Sequence, residues 1–273
     1  MTQFPQHPIM LNSTQNPRVK SWSSLLEKKG RDKAGMFLAE GIHLVQEALR
    51  AGLEISAVVY DAERGVPEEL AAALARLPEA RIFAASPGVM AKCTGTDTPP
   101  PVFAVVGKPE PDLSAPFRPG CLAVVLDGVR DPGNVGTIIR TADAVGADAV
   151  LLGKGCADPY NPKTVRSTMG SLFHVPVVTG DLRLLLPEAK RKGIRLVGTS
   201  LQATASCYEL DWKPATWLLM GSEADGLSAD SIALMDEAVR IPMRGKAESL
   251  NVAMASTVLL YEAMRQRMFS KQQ

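Results

Sequence analysis

Apolar and polar positions alternate along the chain in two rhythms, short apolar runs and longer stretches of helical period. In the first hundred residues, Val19, Trp22, Leu25 and Leu26 share one face, which predicts a helix over 16–29 stopped by Gly30. A second helix is expected over 41–50, with Leu44, Val45, Ala48 and Leu49 apolar, and further helices over 68–77 and 89–93. Runs at 55–60, 81–84 and 102–106 read as strands, and Thr98 to Pro101 as a rigid extended piece. Together these predict a small α/β unit.

After a proline-rich stretch the alternation strengthens. Apolar runs at 121–126, 149–152, 175–178, 196–199, 217–220 and 239–241 read as buried strands. Helical stretches at 134–145, 161–169, 182–191, 229–235 and 250–268 lie between or after them. This is the signature of a parallel sheet covered on both faces. In the last helix Leu250, Met254, Thr257, Val258 and Tyr261 are expected to form one face, with Ser249 placed to cap it. The reading is an α/β protein with a first domain at 1–107, a linker at 108–119 and a second domain at 120–273.

Composition excludes several classes. The chain has 273 residues, 46% of them hydrophobic, with a net charge of +1, as in a soluble globular protein. No apolar stretch is long enough to span a bilayer, and Met1 to Pro8 carries no secretion pattern. Cys93, Cys121, Cys156 and Cys207 are scattered without metal or redox spacing, so reduced thiols in a cytoplasmic protein are expected. His7, His43 and His174 form no ligand motif, so no metal site is expected. Local charge is more telling. Arg18, Lys20, Lys28, Lys29, Arg31 and Lys33 crowd one segment, either a solvated helix face or a phosphate-contacting patch.

Candidate chemistry gathers at three strand-end loops, where ligands bind in parallel sheets. Asp127 to Ala142 offers three glycines, Asn134 at a helix start, and Arg140 two turns into an otherwise apolar helix, where an arginine calls for an anionic partner. Leu218 to Ser228 offers Gly221, Glu223 and Asp225. Ile241 to Asn251 offers backbone groups and short polar side chains, with Arg244 and Lys246 flanking Gly245 inside the loop. The dinucleotide fingerprint and the P-loop are both absent, which argues against a nucleotide-cofactor oxidoreductase.

Taken in order, Asp131–Ala142, Met220–Ser228 and Ile241–Ala253 resemble the three motifs of the SpoU (TrmH-like) RNA ribose methyltransferases. Asp158–Gly170 is also similar to that family, and Arg18–Lys20 with Phe37–Gly41 resembles its small N-terminal RNA-substrate-binding domain. The resemblance implies an α/β knot, a homodimer, and methyl transfer from S-adenosylmethionine to a ribose 2′-hydroxyl. It favours ribosomal over transfer RNA as substrate, with a non-catalytic RNA-binding or ribosome-assembly protein as the alternative. It implies that Thr199, Gly221, Ile241, Met243 and Leu250 line the cofactor. It makes Asn134, Arg140, Glu223, Ser249 and Asn251 the polar site residues. Arg140 matches the family's catalytic arginine. A guanidinium, with a pKa of about 12 or more, is better suited to clamp phosphate and stabilise an alkoxide than to act as a base. Beside such a site, phosphate contact becomes the expected role of Arg18, Lys20, Lys28, Lys29 and Arg31. Lys163 and Arg166 are expected to reach the same RNA or the dimer contact. Two departures stand out: Ala224 where glycine commonly follows the motif glutamate, and Ser222 where asparagine or alanine is frequent. A positive φ at 224 would cost about 1 kcal/mol.

Overall fold

A computed structural model describes residues 8–269. His7 and most of the N-terminal stretch read for a leader lie outside them. The chain forms two compact units. One takes the chain through Glu110 together with Tyr160–Phe173; the other takes Pro111–Pro159 and His174 onward.

The first unit runs β1 (Ile9–Leu11), α1 (Pro17–Ser23), α2 (Lys28–Ala34), β2 (Met36–Glu40), α3 (Ile42–Arg50), β3 (Ile55–Asp61), α4 (Glu68–Leu74), β4 (Ile82–Ala85), α5 (Pro87–Thr94) and β5 (Val102–Gly107). Its sheet has the order β1-β4-β3-β5-β2, with β5 antiparallel to both neighbours and the other pairings parallel. Trp22 meets the edges of Phe83 and Phe103 at 5.2 and 6.2 Å, inside a core that includes Val19, Leu25 and Met90.

The helix expected over 16–29 is interrupted. Asn16 caps α1 by accepting from the Arg18 N–H at 2.9 Å, and a single 3-10 turn, Ser24–Leu26, separates α1 from α2. Gly30 does not stop a helix. It lies inside α2, where a Cβ would sit 1.9 Å from the Ser24 carbonyl oxygen. The stop is Gly35, at φ +65°. Arg31 is only 2% exposed, and its Nη1 donates to the carbonyls of Leu25 and Leu26, both at 2.8 Å. That guanidinium satisfies backbone at the helix break.

The second unit begins with β6 (Leu122–Asp127), α6 (Pro132–Ala144) and β7 (Ala149–Leu152). The chain then gives α7 (Pro162–Thr168) to the first unit. There Phe37 packs on Tyr160 and Phe173, and His43 Nε2 lies 3.0 Å from the Met169 carbonyl oxygen. Arg166 Nη1 donates to Glu40 Oε2 at 2.7 Å. The Glu40 side chain is 3% exposed and its Oε1 finds no partner among the described residues. Burial pushes its carboxyl pKa up, against the pull of Arg166.

The second unit resumes with β8 (Val177–Thr179), α8 (Leu182–Arg191), β9 (Arg195–Thr199), β10 (Thr216–Gly221), α9 (Ala229–Leu234), β11 (Glu237–Val239) and α10 (Val252–Phe269). All six strands are parallel, in the order β11-β9-β10-β6-β7-β8, which is the sheet the apolar runs predict. The second half of the proline-rich stretch is fixed to this unit. Ala115 is fully buried, Phe117 packs on Trp217 at 5.2 Å, and Trp217 Nε1 donates to the Pro116 carbonyl at 2.8 Å.

The last helix differs from expectation in its cap and its face. Asn251, not Ser249, caps α10, accepting from the Ala253 and Met254 N–H groups at 2.9 and 3.3 Å. The buried positions are Val252, Ala253, Ser256, Leu259, Leu260, Glu262 and Ala263, while Met254 and Tyr261 are 52% and 46% exposed. The helix is apolar nearly all round, so helical period alone does not single out one face. At its far end Arg267 donates to the carbonyls of Trp212, Gly120, Cys121 and Pro214, fastening α10 to the start of the unit.

Candidate functional site

The site is built in the second unit from the loops that leave β6, β10 and β11. Asp131 caps α6 by accepting from the Asn134 N–H at 2.8 Å, with Pro132 at the first helical position. This cap leaves the Asn134 side chain free to work. Its Nδ2 donates to Glu223 Oε1 at 2.5 Å, and its Oδ1 accepts from Asn251 Nδ2 at 3.1 Å. The three loops are thus joined by one chain of side chains, Asn251 to Asn134 to Glu223. Asn251 spends its Oδ1 on the α10 cap and its Nδ2 on Asn134, so the helix start and the site are fixed together.

The second loop owes its shape to glycine. Gly221 ends β10 buried, and a Cβ there would lie 2.1 Å from the Gly226 carbonyl carbon and 2.3 Å from the Leu227 nitrogen. Its bareness is required by the chain folding back on itself. Ser222 and Gly226 exchange backbone hydrogen bonds at 2.9 and 3.1 Å. Among the described residues Met169 is the one non-glycine with positive φ, so Ala224 is unstrained and Gly226, at φ +68°, takes the left-handed position instead.

Asp127 is a site-shaping residue that the motif reading passes over. At the end of β6 its Oδ2 accepts from the Ser228 N–H at 2.9 Å and the Ser231 hydroxyl at 2.7 Å, tying the second loop to the first. A carboxylate ending a buried strand is the sequence signal that could have found it. Exposed Arg130 also faces Asp225 at 3.5 Å across the same two loops. Beneath the first loop, burial pushes the Cys156 thiol pKa up, and the neutral group donates to the Leu126 carbonyl at 3.2 Å.

Arg140 is exposed on α6 and makes no hydrogen bond or ion pair with the described residues. Its charge is available to an external anion. Thr199 ends β9 half-buried, paired in register with Val239. Ile241 is half-buried, and residues 242–250, with Met243, Ser249 and Leu250 among them, are exposed. Their backbone groups make no backbone–backbone hydrogen bond with the described residues. A loop with open N–H and C=O groups beside apolar Ile241, Met243 and Leu250 suits a ligand that combines a flat apolar ring with a polar edge.

Of the expected RNA-contacting residues, Arg31 is ruled out by burial and by its two carbonyl acceptors. Lys28 is exposed but paired with Asp32 at 2.8 Å, and Arg166 has one nitrogen engaged by Glu40. Arg18 lies over the Phe83 ring at 5.1 Å, with Lys20 and Lys29 exposed. Lys163 lies in the first turn of α7, its N–H accepted by Asn161. Among the described residues no three His, Cys, Asp or Glu gather as a metal site, and no helix is long and apolar enough to cross a membrane.

Comparison with known proteins agrees with this geometry. A family model described as the SpoU rRNA Methylase family matches residues 121–261, and one described as an MRM3-like substrate binding domain matches residues 16–104. The chain is 38% identical over 251 residues to the 23S rRNA (guanosine(2553)-2′-O)-methyltransferase RlmP of Bacillus subtilis, covering 92% of this chain and 97% of that one. Among solved structures it is similar to the SpoU methyltransferase AviRb from Streptomyces viridochromogenes in complex with AdoMet. There the TM-score is 0.84 at 36% identity, over 94% of this chain and 100% of that one. It is also similar to an AdoMet-bound rRNA methyltransferase from Sinorhizobium meliloti, with a TM-score of 0.83 at 36% identity, over 96% of this chain and 98% of that one.

Proposed function

This chain belongs to the SpoU rRNA Methylase family, and on that premise we propose that it methylates a ribose 2′-hydroxyl of large-subunit ribosomal RNA. The activity class is an S-adenosylmethionine-dependent RNA 2′-O-methyltransferase. The choice of ribosomal RNA rests on the relatives' substrates and on the separate N-terminal unit. The observation that carries the reading is the hydrogen-bonded chain Asn251–Asn134–Glu223, which draws the three motif loops into one site.

The chemistry needs little from side chains. The sulfonium methyl of S-adenosylmethionine is itself a strong electrophile. The site has to align the hydroxyl with it and ease the loss of one proton. We assign Asn134 to positioning the ribose, its amide fixed from both sides. Arg140, exposed and without a partner among the described residues, clamps a phosphate of the target nucleotide and stabilises the forming alkoxide. Glu223, Ser249 and Asn251 support the loops that hold the cofactor, and Thr199, Gly221, Ile241, Met243 and Leu250 line it. Residues 1–107 bind substrate RNA, with Arg18, Lys20 and Lys29 toward phosphate, and residues 120–273, apart from the Tyr160–Phe173 segment that folds with the first unit, form the methyltransferase domain. As in the family, the C-terminal segment threads a trefoil knot and the active form is a cytoplasmic homodimer. The exposed apolar positions Met254 and Tyr261 support a dimer face along α10.

The test is methyl transfer from labelled S-adenosylmethionine to ribosomal and transfer RNA, wild type beside Arg140→Ala. The expected result is alkali-resistant label at one position of 23S-type RNA, lost in the variant, because a methylated 2′-oxygen cannot attack the neighbouring phosphate. Label in transfer RNA alone would overturn the substrate assignment. Cofactor binding with no label in either RNA would favour the non-catalytic reading.

A further inference from the structure

We propose that the first unit carries an RNA-backbone groove between α1 and α5, with Lys20 and Lys92 as its phosphate-binding cations. The inference builds on the RNA methyltransferase reading and locates where the substrate is held outside the catalytic loops. The groove is open, about 580 Å³ in volume, and is lined by Thr14, Gln15, Lys20, Ser23, Ser24 and Lys92, with Gly88 completing it. None of these is a carboxylate and none is a large apolar side chain. Such a lining does not suit a hydrophobic peptide or a cofactor ring; it suits a polar, anionic strand.

The hydrogen bonds of the lining residues refine the ligand. Lys20 and Lys92 are both exposed, and neither ammonium makes an ion pair or hydrogen bond with the described residues. Four other cations of this unit are engaged: Lys28 by Asp32, Arg50 by Glu47, Arg64 by Asp61, and Arg31 by two carbonyls. The Ser23 and Ser24 hydroxyls donate back to the Lys20 and Ser21 carbonyls at 3.2 and 2.6 Å. Their lone pairs are therefore what they offer a ligand. Two exposed cations without partners among the described residues, beside hydroxyl acceptors, match alternating phosphates and ribose 2′-hydroxyls, the pairing that separates RNA from DNA. Arg18, on the same helix as Lys20, lies over the Phe83 ring and extends the positive edge toward β4, the strand that leads into α5.

Lys92 lies far along the chain from the basic segment, and only the packing of α5 against α1 brings it to Lys20. The glycine supplies a clean probe. A Cβ on Gly88 would meet nothing within 4 Å, and Gly88 lies in the first turn of α5. Gly88→Glu therefore places a carboxylate in the groove without a clash, at a helix end that favours negative charge.

The experiment is filter binding of the full chain to deproteinised 23S rRNA across a salt series, with methyl transfer and melting temperature measured on the same preparations. Lys20→Ala and Lys92→Ala are each expected to weaken binding about four-fold at ~0.15 M salt, and about fifteen-fold together, each lowering the salt slope by about 0.7. Gly88→Glu should weaken binding at least as much as either, with an unchanged or higher melting temperature. Arg76→Ala, which removes an exposed cation outside the groove, should change affinity less than about two-fold. Full affinity and slope in the double variant and in Gly88→Glu, with wild-type methyl transfer intact, would overturn the groove and leave the methyltransferase reading standing. An equal loss in Arg76→Ala would also overturn it, as diffuse attraction. A wild type that neither binds nor methylates the RNA overturns both.

Discussion

Gly221→Ala is the sharpest test of how the catalytic loops are built. The added carbon would sit 2.1 to 2.4 Å from backbone atoms of Gly226 and Leu227. Ordinary contact needs about 3.5 Å or more, so that backbone must retreat by over ~1 Å. No flexible side chain can absorb the movement. The retreat breaks the paired Ser222–Gly226 hydrogen bonds, at about 1 kcal/mol each, and overpacking adds about 1–3 kcal/mol. The total is about 3–5 kcal/mol, and at about 2–4 °C per kcal/mol the melting temperature should fall by roughly 6–20 °C. Gly226→Ala is the matched control. Its Cβ has open space, so only the φ of +68° opposes it, at about 1–2 kcal/mol. Thermal unfolding with and without S-adenosylhomocysteine, together with calorimetric binding of that product, reads both effects. Gly221→Ala should bind it far more weakly than wild type or Gly226→Ala. A Gly221→Ala protein melting within about 2 °C of wild type with unchanged affinity would refute the steric argument.

Two more perturbations bear on the rest of the molecule. Asn134→Ala removes the donor to Glu223 and the acceptor for Asn251, so single-turnover methyl transfer should slow by about 10–100-fold while melting changes little; an unchanged rate would remove Asn134 from the machinery. Glu40 has its pKa raised, chiefly by burial, so the stability it contributes is fully present below the unfolded carboxylate value and is lost as pH rises through the folded value. The melting temperature of Glu40→Gln relative to wild type should therefore climb as pH rises above the unfolded carboxylate value of about 4.3, and a flat or falling difference would contradict the assignment.

Much of the second unit is legible in the sequence because its strands are buried on both faces and its loops carry special residues. Buried runs such as Leu122–Asp127 and Thr216–Gly221 announce parallel strands, and the sheet has the predicted direction throughout. Asn134, Glu223 and Asn251 stand out through motif resemblance, and the structure brings their side chains within hydrogen-bond reach. What sequence does not reveal depends on distance in space. Gly30 reads as a helix stop, yet its role is set by the Ser24 carbonyl pressing on it. Arg31 reads as surface charge in a basic run, yet a helix break turns it inward. Strand β2 escapes a sequence reading because its apolar run, Met36–Ala39, is short and ends in the buried carboxylate of Glu40, which reads as a surface residue. The face of α10 is misjudged because apolar residues surround it, so neighbours decide what is covered.

The placement of Tyr160–Phe173 has a consequence for how the protein is made. The first unit is not complete when Glu110 leaves the ribosome. Until α7 arrives, Phe37 lacks its aromatic neighbours Tyr160 and Phe173, and Glu40 lacks its guanidinium. At ~5–20 residues per second, the interval from Glu110 to Phe173 lasts roughly 3–13 s, during which the first strands of the other unit's central sheet emerge. That unit waits in turn for Arg267, whose donors serve carbonyls at Gly120 and Cys121. The first half is held open until Phe173 is out, while part of the second is already exposed, and the second is complete only with the final helix. Its first turnover comes only after the final helix has cleared the exit tunnel.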